Sequence, residues 1–245
     1  MAFRFGIFNG VETDLEQNLR EIRHRIAGAA AKSGRSVKLV SVSKTHPTSV
    51  LHMAIDAGAN ILGENKVQEA ESKIAELGRD SAEWHLIGHL QSNKARKAVQ
   101  LFDVIQTIDS IELAERLERI CGEEGRDSLS VFVQVDLAGE ETKSGVAENE
   151  LPPLVDFLKG CRHLRFDGLM IVPPFSDDIE KSRPYFERLR AIRDKLTAEN
   201  AFNSGPGELS MGMSHDFEVA VEEGATVVRI GTAIFGAREY LAANL

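Results

Sequence analysis

The sequence predicts a single (β/α)8 barrel over residues 1–245, preceded by one extra N-terminal helix. Three observations predict it. Eight short β-rich runs alternate with helical runs, each strand candidate being followed by a helix candidate. The strand candidates are apolar on both faces, as in a parallel sheet covered by helices. The 245 residues contain no linker rich in Pro, Gly or Ser that would divide the chain. A doubly wound open sheet is the alternative topology.

The elements follow in order. Residues 13–31 read as the leading helix, with Leu15, Leu19, Ile22 and Ile26 on one stripe. The strands are expected at 37–43, 60–62, 84–88, 103–107, 130–136, 167–172, 208–211 and 226–230. Helices are expected at 48–57, 66–77, 94–101, 110–121, 148–159, 179–199, 216–223 and 237–243. Gly58 and Gly78 close two of them, Ser110 caps another, and Pro184 falls within the first turns of the longest.

Composition narrows the function classes. Hydrophobic residues make up 42%, enough apolar surface to offset chain entropy, so wholesale disorder is excluded. No run approaches the roughly 20 apolar residues that a bilayer requires. The balance of 29 basic against 38 acidic residues, net −9, argues against nucleic-acid and anionic membrane partners. A local basic pocket for a small phosphate remains open. Cys121 and Cys161 form neither a CxxC nor a zinc spacing and are expected to be buried thiols. The first residues carry no secretion signal, and a reducing cytoplasm is the expected compartment.

In a barrel the chemistry lies just past the C-terminal ends of the strands. Lys44 follows the first strand directly, and alternation puts Val40, Val42 and Lys44 on one face. Desolvation lowers a lysine's pKa, and a neutral amine attacks an aldehyde to form a Schiff base. A lysine snorkelling at a strand end is the plain alternative. After the eighth strand, Arg229, Gly231 and Thr232 mark a loop where phosphate often binds in barrels. Ser210 and Ser214 offer hydroxyls after the seventh. Ordinary turn chemistry would account for both loops as well.

Other motifs fail on geometry. His85 and His89 sit four apart on a strand, about 13 Å, too far to share an ion. Ser214, His215 and Asp216 are adjacent and cannot converge as a hydrolytic triad. Gly205 and Gly207 lack the later glycine of a dinucleotide fingerprint. The acidic pairs Glu140–Glu141 and Glu222–Glu223 are expected on the solvated surface.

The segments SVSKT (41–45), GEN (63–65), WHLIGHLQSNK (84–94), KSG (143–145), GLMIVPP (168–174), SMGMSHD (210–216) and VRIGTAIFGAR (228–238) resemble the pyridoxal phosphate homeostasis protein family. These small barrels are similar to the N-terminal domain of alanine racemase. The likeness runs from near residue 13 to about residue 240. It implies a fold-type III barrel with pyridoxal 5′-phosphate (PLP) as cofactor and Lys44 as the Schiff-base lysine. It further implies that Arg229 faces the pyridine nitrogen. Ser214, Gly231 and Thr232 would hold the phosphate, with Ser210 a further candidate, while Asn65 and Met170 line the cofactor. His89 and Asn93 lie in a shared motif without an assigned role.

An arginine does not give up its proton, so opposite the pyridine nitrogen it keeps that nitrogen unprotonated and weakens the ring as an electron sink, which suits a holder of reactive aldehyde as well as a racemase. Racemisation also needs a proton acceptor on each face of the substrate carbon. In the racemases it resembles, the second base is a tyrosine from a β-rich domain. This sequence runs to Leu245 without such a domain, and its tyrosines, Tyr185 and Tyr240, lie in predicted helices. The expectation is therefore a cytoplasmic, monomeric PLP carrier serving homeostasis, with PLP-dependent apo-enzymes as candidate recipients. An amino-acid racemase is the alternative. A phosphosugar barrel enzyme is a weaker third reading, since no metal or carboxylate pair accompanies the phosphate loops.

Overall fold

Apolar residues recurring every three or four positions bury one stripe of the first helix, where Leu15, Leu19, Ile22 and Ile26 are all sequestered. The computed structural model describes residues 8–31, 33–139 and 144–236. Within them the strands are β1 (Lys38–Val42), β2 (Ile61–Glu64), β3 (Glu83–Leu86), β4 (Val104–Ile108), β5 (Leu129–Asp136), β6 (Val146–Ala147), β7 (Leu164–Met170), β8 (Glu208–Met213) and β9 (Val227–Ile230). The helices are α1 (Phe8–Ala30), α2 (Thr48–Asp56), α3 (Val67–Leu77), α4 (Ala95–Leu101), α5 (Ile111–Glu124), α6 (Leu151–Lys159), α7 (Arg183–Ala198), α8 (Phe217–Glu222) and α9 (Thr232–Phe235).

Eight strands close into a parallel ring. The order β4-β3-β2-β1-β9-β8-β7-β5 is completed by β4 pairing with β5. The register across the first and last strands sets Val40 opposite Arg229, and Val42 lies opposite Gly63 on the other side. The open-sheet alternative is thereby excluded. Alternation along the strands then divides the core in two. Val40, Val104, Phe132, Met170 and Val227 fill the lumen. The other strand faces pack against the helices, with Leu62, Trp84, Ile105, Val131, Leu169 and Val228 all buried there. Filling the lumen with side chains makes it a plug and not a pore.

Several details depart from expectation. The two-residue strand β6 pairs with β5 outside the ring, and it is too short to leave a periodic signal. Helix α1 starts at Phe8, before the expected residue 13, and β7 starts at Leu164, three residues early. The exposed Arg165 interrupts the apolar run that marked β7. Two expected helices open as 3-10 turns, Glu148–Glu150 before α6 and Ile179–Ser182 before α7. In both, proline occupies the first α-helical turn, where its missing N–H costs nothing. Ser110 caps α5 as expected, accepting from the Leu113 N–H at 3.3 Å. The helix expected at 237–243 lies outside the described residues, and the short α9 stands directly after β9.

Two burial expectations need correction. Cys121 is buried, but Cys161 is half-buried, because it lies just past the end of α6. Burial pushes the two thiols up to about 11 and about 12, which leaves both unreactive. Glu222 is exposed, but Glu223 is buried and accepts from Arg183 at 2.5 Å and Arg190 at 2.6 Å. The arginines of α7 reach across to α8, and sequence spacing does not reveal that. Glu140 and Glu141 lie outside the described residues. No described helix is long and apolar enough to cross a membrane.

Candidate functional site

The strand β1 ends at Val42, and alternation aims Val40, Val42 and then Lys44 toward the lumen. Lys44 is half-buried on the wall of a cavity of about 380 Å³ at the C-terminal mouth of the barrel. That volume falls in the range of about 300–1,000 Å³ typical of small-molecule sites. The turn that carries Lys44 is held from behind. The buried Lys73 ammonium donates to the Ser43 carbonyl at 2.8 Å, to Glu64 Oε1 at 2.7 Å and to Glu69 Oε1 at 2.7 Å. The Ser43 hydroxyl donates to Glu64 at 2.6 Å, and the Thr45 N–H donates to Glu69 at 2.5 Å. Thr45 itself sits at φ 69, a left-handed conformation that a β-branched residue adopts only when its surroundings impose it. Burial pushes the Glu64 carboxyl upward, against the pull of Lys73 and Ser43. Glu69 is also raised by burial, but the bonds from Lys73 and Thr45 outweigh it and hold it low.

The opposite wall comes from β8 and β9. Arg229 follows Val227 on the lumen face of β9 and is 4% exposed. Burial pulls its guanidinium down to about 10, with Asp216 opposing, so it remains a cation at neutral pH. Its Nη2 donates to the Ile171 carbonyl at 2.8 Å. Beside it, Ser214 Oγ accepts from the backbone N–H of Gly231 at 3.3 Å and of Ala233 at 3.5 Å, which ties the two loops together. Thr232 is exposed at the same mouth. A Cβ at Gly231 would lie 3.2 Å from the Val42 carbonyl oxygen, a tight approach that glycine relieves where this loop closes on β1.

Asn65 lines the cavity one residue past β2. Gly88 permits that position, since a Cβ there would fall 2.3 Å from the Asn65 carbonyl oxygen. Six of the eight expected site residues thus meet on one cavity: Lys44, Asn65, Ser214, Arg229, Gly231 and Thr232. The other two lie off its wall. Met170 is packed in the lumen against Val40 and Phe132 below the cavity. Ser210 is fully buried, donates to Gln106 Oε1 at 2.6 Å and accepts from Arg229 Nη1 at 2.7 Å, so it is placed to orient the arginine.

The cavity also gathers residues that sequence reading passed over. His46 stacks on Phe235 with centroids 4.9 Å apart. Phe175 is 79% exposed and lies 5.5 Å from the His215 ring at the rim. A phenylalanine directly after a Pro-Pro pair at a strand end is the one signal that could have marked this rim. His215 and Asp216 have separate partners, the Ser176 carbonyl at 3.1 Å and the Met213 N–H at 2.8 Å, so no triad forms with Ser214. His85 and His89 diverge, one pairing with Glu83 at 2.8 Å and the other with Asp109 at 3.2 Å. Among the described residues no cluster of His, Cys, Asp or Glu could hold a metal.

The donor set suits one kind of ligand. A lysine amine, a buried guanidinium, two hydroxyls and a glycine loop face one small cavity, and none of the described residues lining it is a carboxylate. That combination accommodates a planar phosphorylated carbonyl compound.

Known proteins share this arrangement of chain. The family model for the alanine racemase N-terminal domain matches residues 17–239. A pyridoxal phosphate homeostasis protein of Aquifex aeolicus is 39% identical over 227 residues, covering 91% of this chain and 98% of the relative. The protein of that name in Escherichia coli K12 is 41% identical over 234 residues, covering 93% and 98%. Among solved structures, PipY of Synechococcus elongatus with PLP bound superposes with a TM-score of 0.81 at 38% identity, covering 91% of this chain and all of that one.

Proposed function

The chain belongs to the family of pyridoxal phosphate homeostasis proteins, whose barrel is that of the alanine racemase N-terminal domain, and from this premise we propose that it carries PLP as a Schiff base on Lys44. One observation carries the reading: Lys44 shares a cavity with Arg229, Ser214, Gly231 and Thr232 at the expected mouth of the barrel.

PLP, when bound, supplies an aldehyde for the lysine and an aromatic ring that can withdraw electrons. The protein's own residues do the rest. Lys44 offers its amine from a turn locked by Lys73, Glu64 and Glu69. Gly231 lets the loop come close to the phosphate, Thr232 offers it a hydroxyl, and Ser214, whose Oγ accepts from the Gly231 N–H, supplies a second hydroxyl while holding that loop. Arg229 presents only donors to the pyridine nitrogen and so keeps it unprotonated. Asn65 borders the cofactor, and Met170 supports it from the lumen. Such a site holds a reactive aldehyde without promoting carbanion chemistry, which supports a non-catalytic carrier. Tyr185 is packed into the helix layer of α7 and takes no part in the cavity, so it offers no second base. The same reading extends to a monomer that hands PLP to apo-enzymes in the cytoplasm, consistent with two unbridged cysteines.

The test is direct. Borohydride reduction of PLP-loaded protein followed by peptide mapping should place a phosphopyridoxyl group on Lys44, and Lys44→Ala should abolish the visible absorbance. A label on another lysine would overturn the assignment. Enzyme-like turnover of alanine or another amino acid would overturn the carrier role.

A further inference from the structure

Arg229 is a buried cation whose hydrogen bonds go to a hydroxyl and a carbonyl and not to a carboxylate. The hydroxyl begins a chain. Arg229 Nη1 donates to Ser210 Oγ at 2.7 Å. Ser210 Oγ donates to Gln106 Oε1 at 2.6 Å, crossing the lumen between strands that are not neighbours in the ring. Gln106 Nε2 meets His85 Nδ1 at 2.7 Å, and His85 Nε2 meets Glu83 Oε1 at 2.8 Å. Arg229, Ser210, Gln106 and His85 are all at most 4% exposed. The Glu83 side chain is 43% exposed at the opposite mouth.

The direction of every bond follows from the first. A guanidinium only donates, so Ser210 must accept from it and pass its own O–H onward. The O–H can go only to the Gln106 carbonyl oxygen, which turns the amide N–H toward His85. His85 Nδ1 therefore carries no proton, and Nε2 donates to the Glu83 carboxylate. Four polar groups thus deliver a negative end, exposed to solvent, to a cation buried on the other side of the lumen.

We propose that Ser210, Gln106, His85 and Glu83 form a one-way positioning chain that fixes the guanidinium of Arg229 for its ligand. The proposal rests on the reading of Arg229 as the group facing the cofactor ring. Gln106, His85 and Glu83 lie outside the cofactor cavity and act only through Arg229.

The experiment has two arms. In the first, nitrogen–proton spectra of the apo protein follow the Arg229 side-chain signal, assigned by its loss in Arg229→Lys. Gln106→Leu should shift or broaden that signal, and Glu83→Ala, which removes the chain's charged end at an exposed position, should move it in the same direction. In the second, PLP affinity is measured by equilibrium dialysis. Gln106→Leu should weaken it about tenfold, the scale of a lost bond in a charge-terminated chain. Adding Ser210→Ala to Gln106→Leu should cost little more than either alone. Should Gln106→Leu not fold, His85→Phe keeps the ring volume, removes the acceptor of Gln106 and should move the same signal. An unmoved Arg229 signal, or fully additive losses in the double variant, overturns the proposal. If the wild-type protein failed to retain PLP, the carrier reading would fall, and the apo spectra would still decide the chain.

Discussion

The two mouths of the barrel are lined by different sets of charged groups. At the N-terminal mouth each charge has a partner: Lys38 meets Glu208 at 3.0 Å, Arg165 meets Asp167 at 3.0 Å, and His85 meets Glu83 at 2.8 Å. At the C-terminal mouth Lys44 and Arg229 share a cavity bordered by hydroxyls and amides, with no carboxylate among its described lining residues. A chain with a net charge of −9 therefore concentrates a local excess of donors and positive charge at one place. The difference teaches where chemistry sits. Matched charges close a surface, whereas cations and hydroxyls gathered on one cavity wall suit a ligand of negative charge.

Substitutions can break or sharpen that contrast. The largest effect on stability is expected behind the C-terminal mouth. Lys73→Met leaves Glu64 buried beside Glu69 without their shared cation, and should cost about 3–5 kcal/mol in a denaturant titration. The variant should also capture PLP more slowly, because the Lys44 turn loses its tie at the Ser43 carbonyl.

Next in size is the loop proposed to hold the phosphate. The pair Ser214→Ala and Thr232→Val should weaken PLP retention about tenfold or more while leaving borohydride trapping on Lys44 intact. Unchanged retention would remove both hydroxyls from the site.

A smaller effect lies outside either mouth. Burial raises the Glu118 carboxyl, but N–H groups of Arg162, His163 and Leu164 and the His163 ring outweigh it and hold it low. Its folded pKa is depressed, so its contribution is present above the unfolded value of about 4.3 and is lost as pH falls through the folded one. Glu118→Gln should therefore melt about 2–4 °C below wild type at pH 7, and the gap should close toward pH 3. The smallest effect belongs to the N-terminal mouth. Lys38→Met breaks a pair that is half open to solvent, should change stability by about 0–1 kcal/mol and should leave PLP retention unchanged. A large loss of PLP there would erase the contrast between the mouths.

Much of this is legible in the sequence. The strand candidates were long enough and apolar enough to place β1, β5 and β9 nearly to the residue. Period-two alternation put Lys44 on the face shared by Val40 and Val42, which the structure turns to the lumen, and the glycine and hydroxyl loops after the last two strands marked the same mouth. The rest was hidden for physical reasons. Ser210 reads as a loop hydroxyl by neighbourhood, yet alternation places it one level below the cavity against Gln106. Met170 likewise ends its strand within the lumen. Lys73 looks like any helical surface lysine, since nothing local says that α3 turns it onto Glu64. Phe175 and His215 meet only because two loops from different strands lean over one rim.

The sequence by itself therefore determined the repeating unit, a parallel sheet covered by helices and the chemical character of the strand ends, because these depend on periodicity and on residue type, whereas closure of the sheet came from the strand pairing. Only the tertiary structure decided which polar groups face one another. Partners such as Arg229 and Ser210, Gln106 and His85, or Lys73 and Glu64 lie on different strands and helices, and their distances are set by barrel closure and register rather than by spacing along the chain.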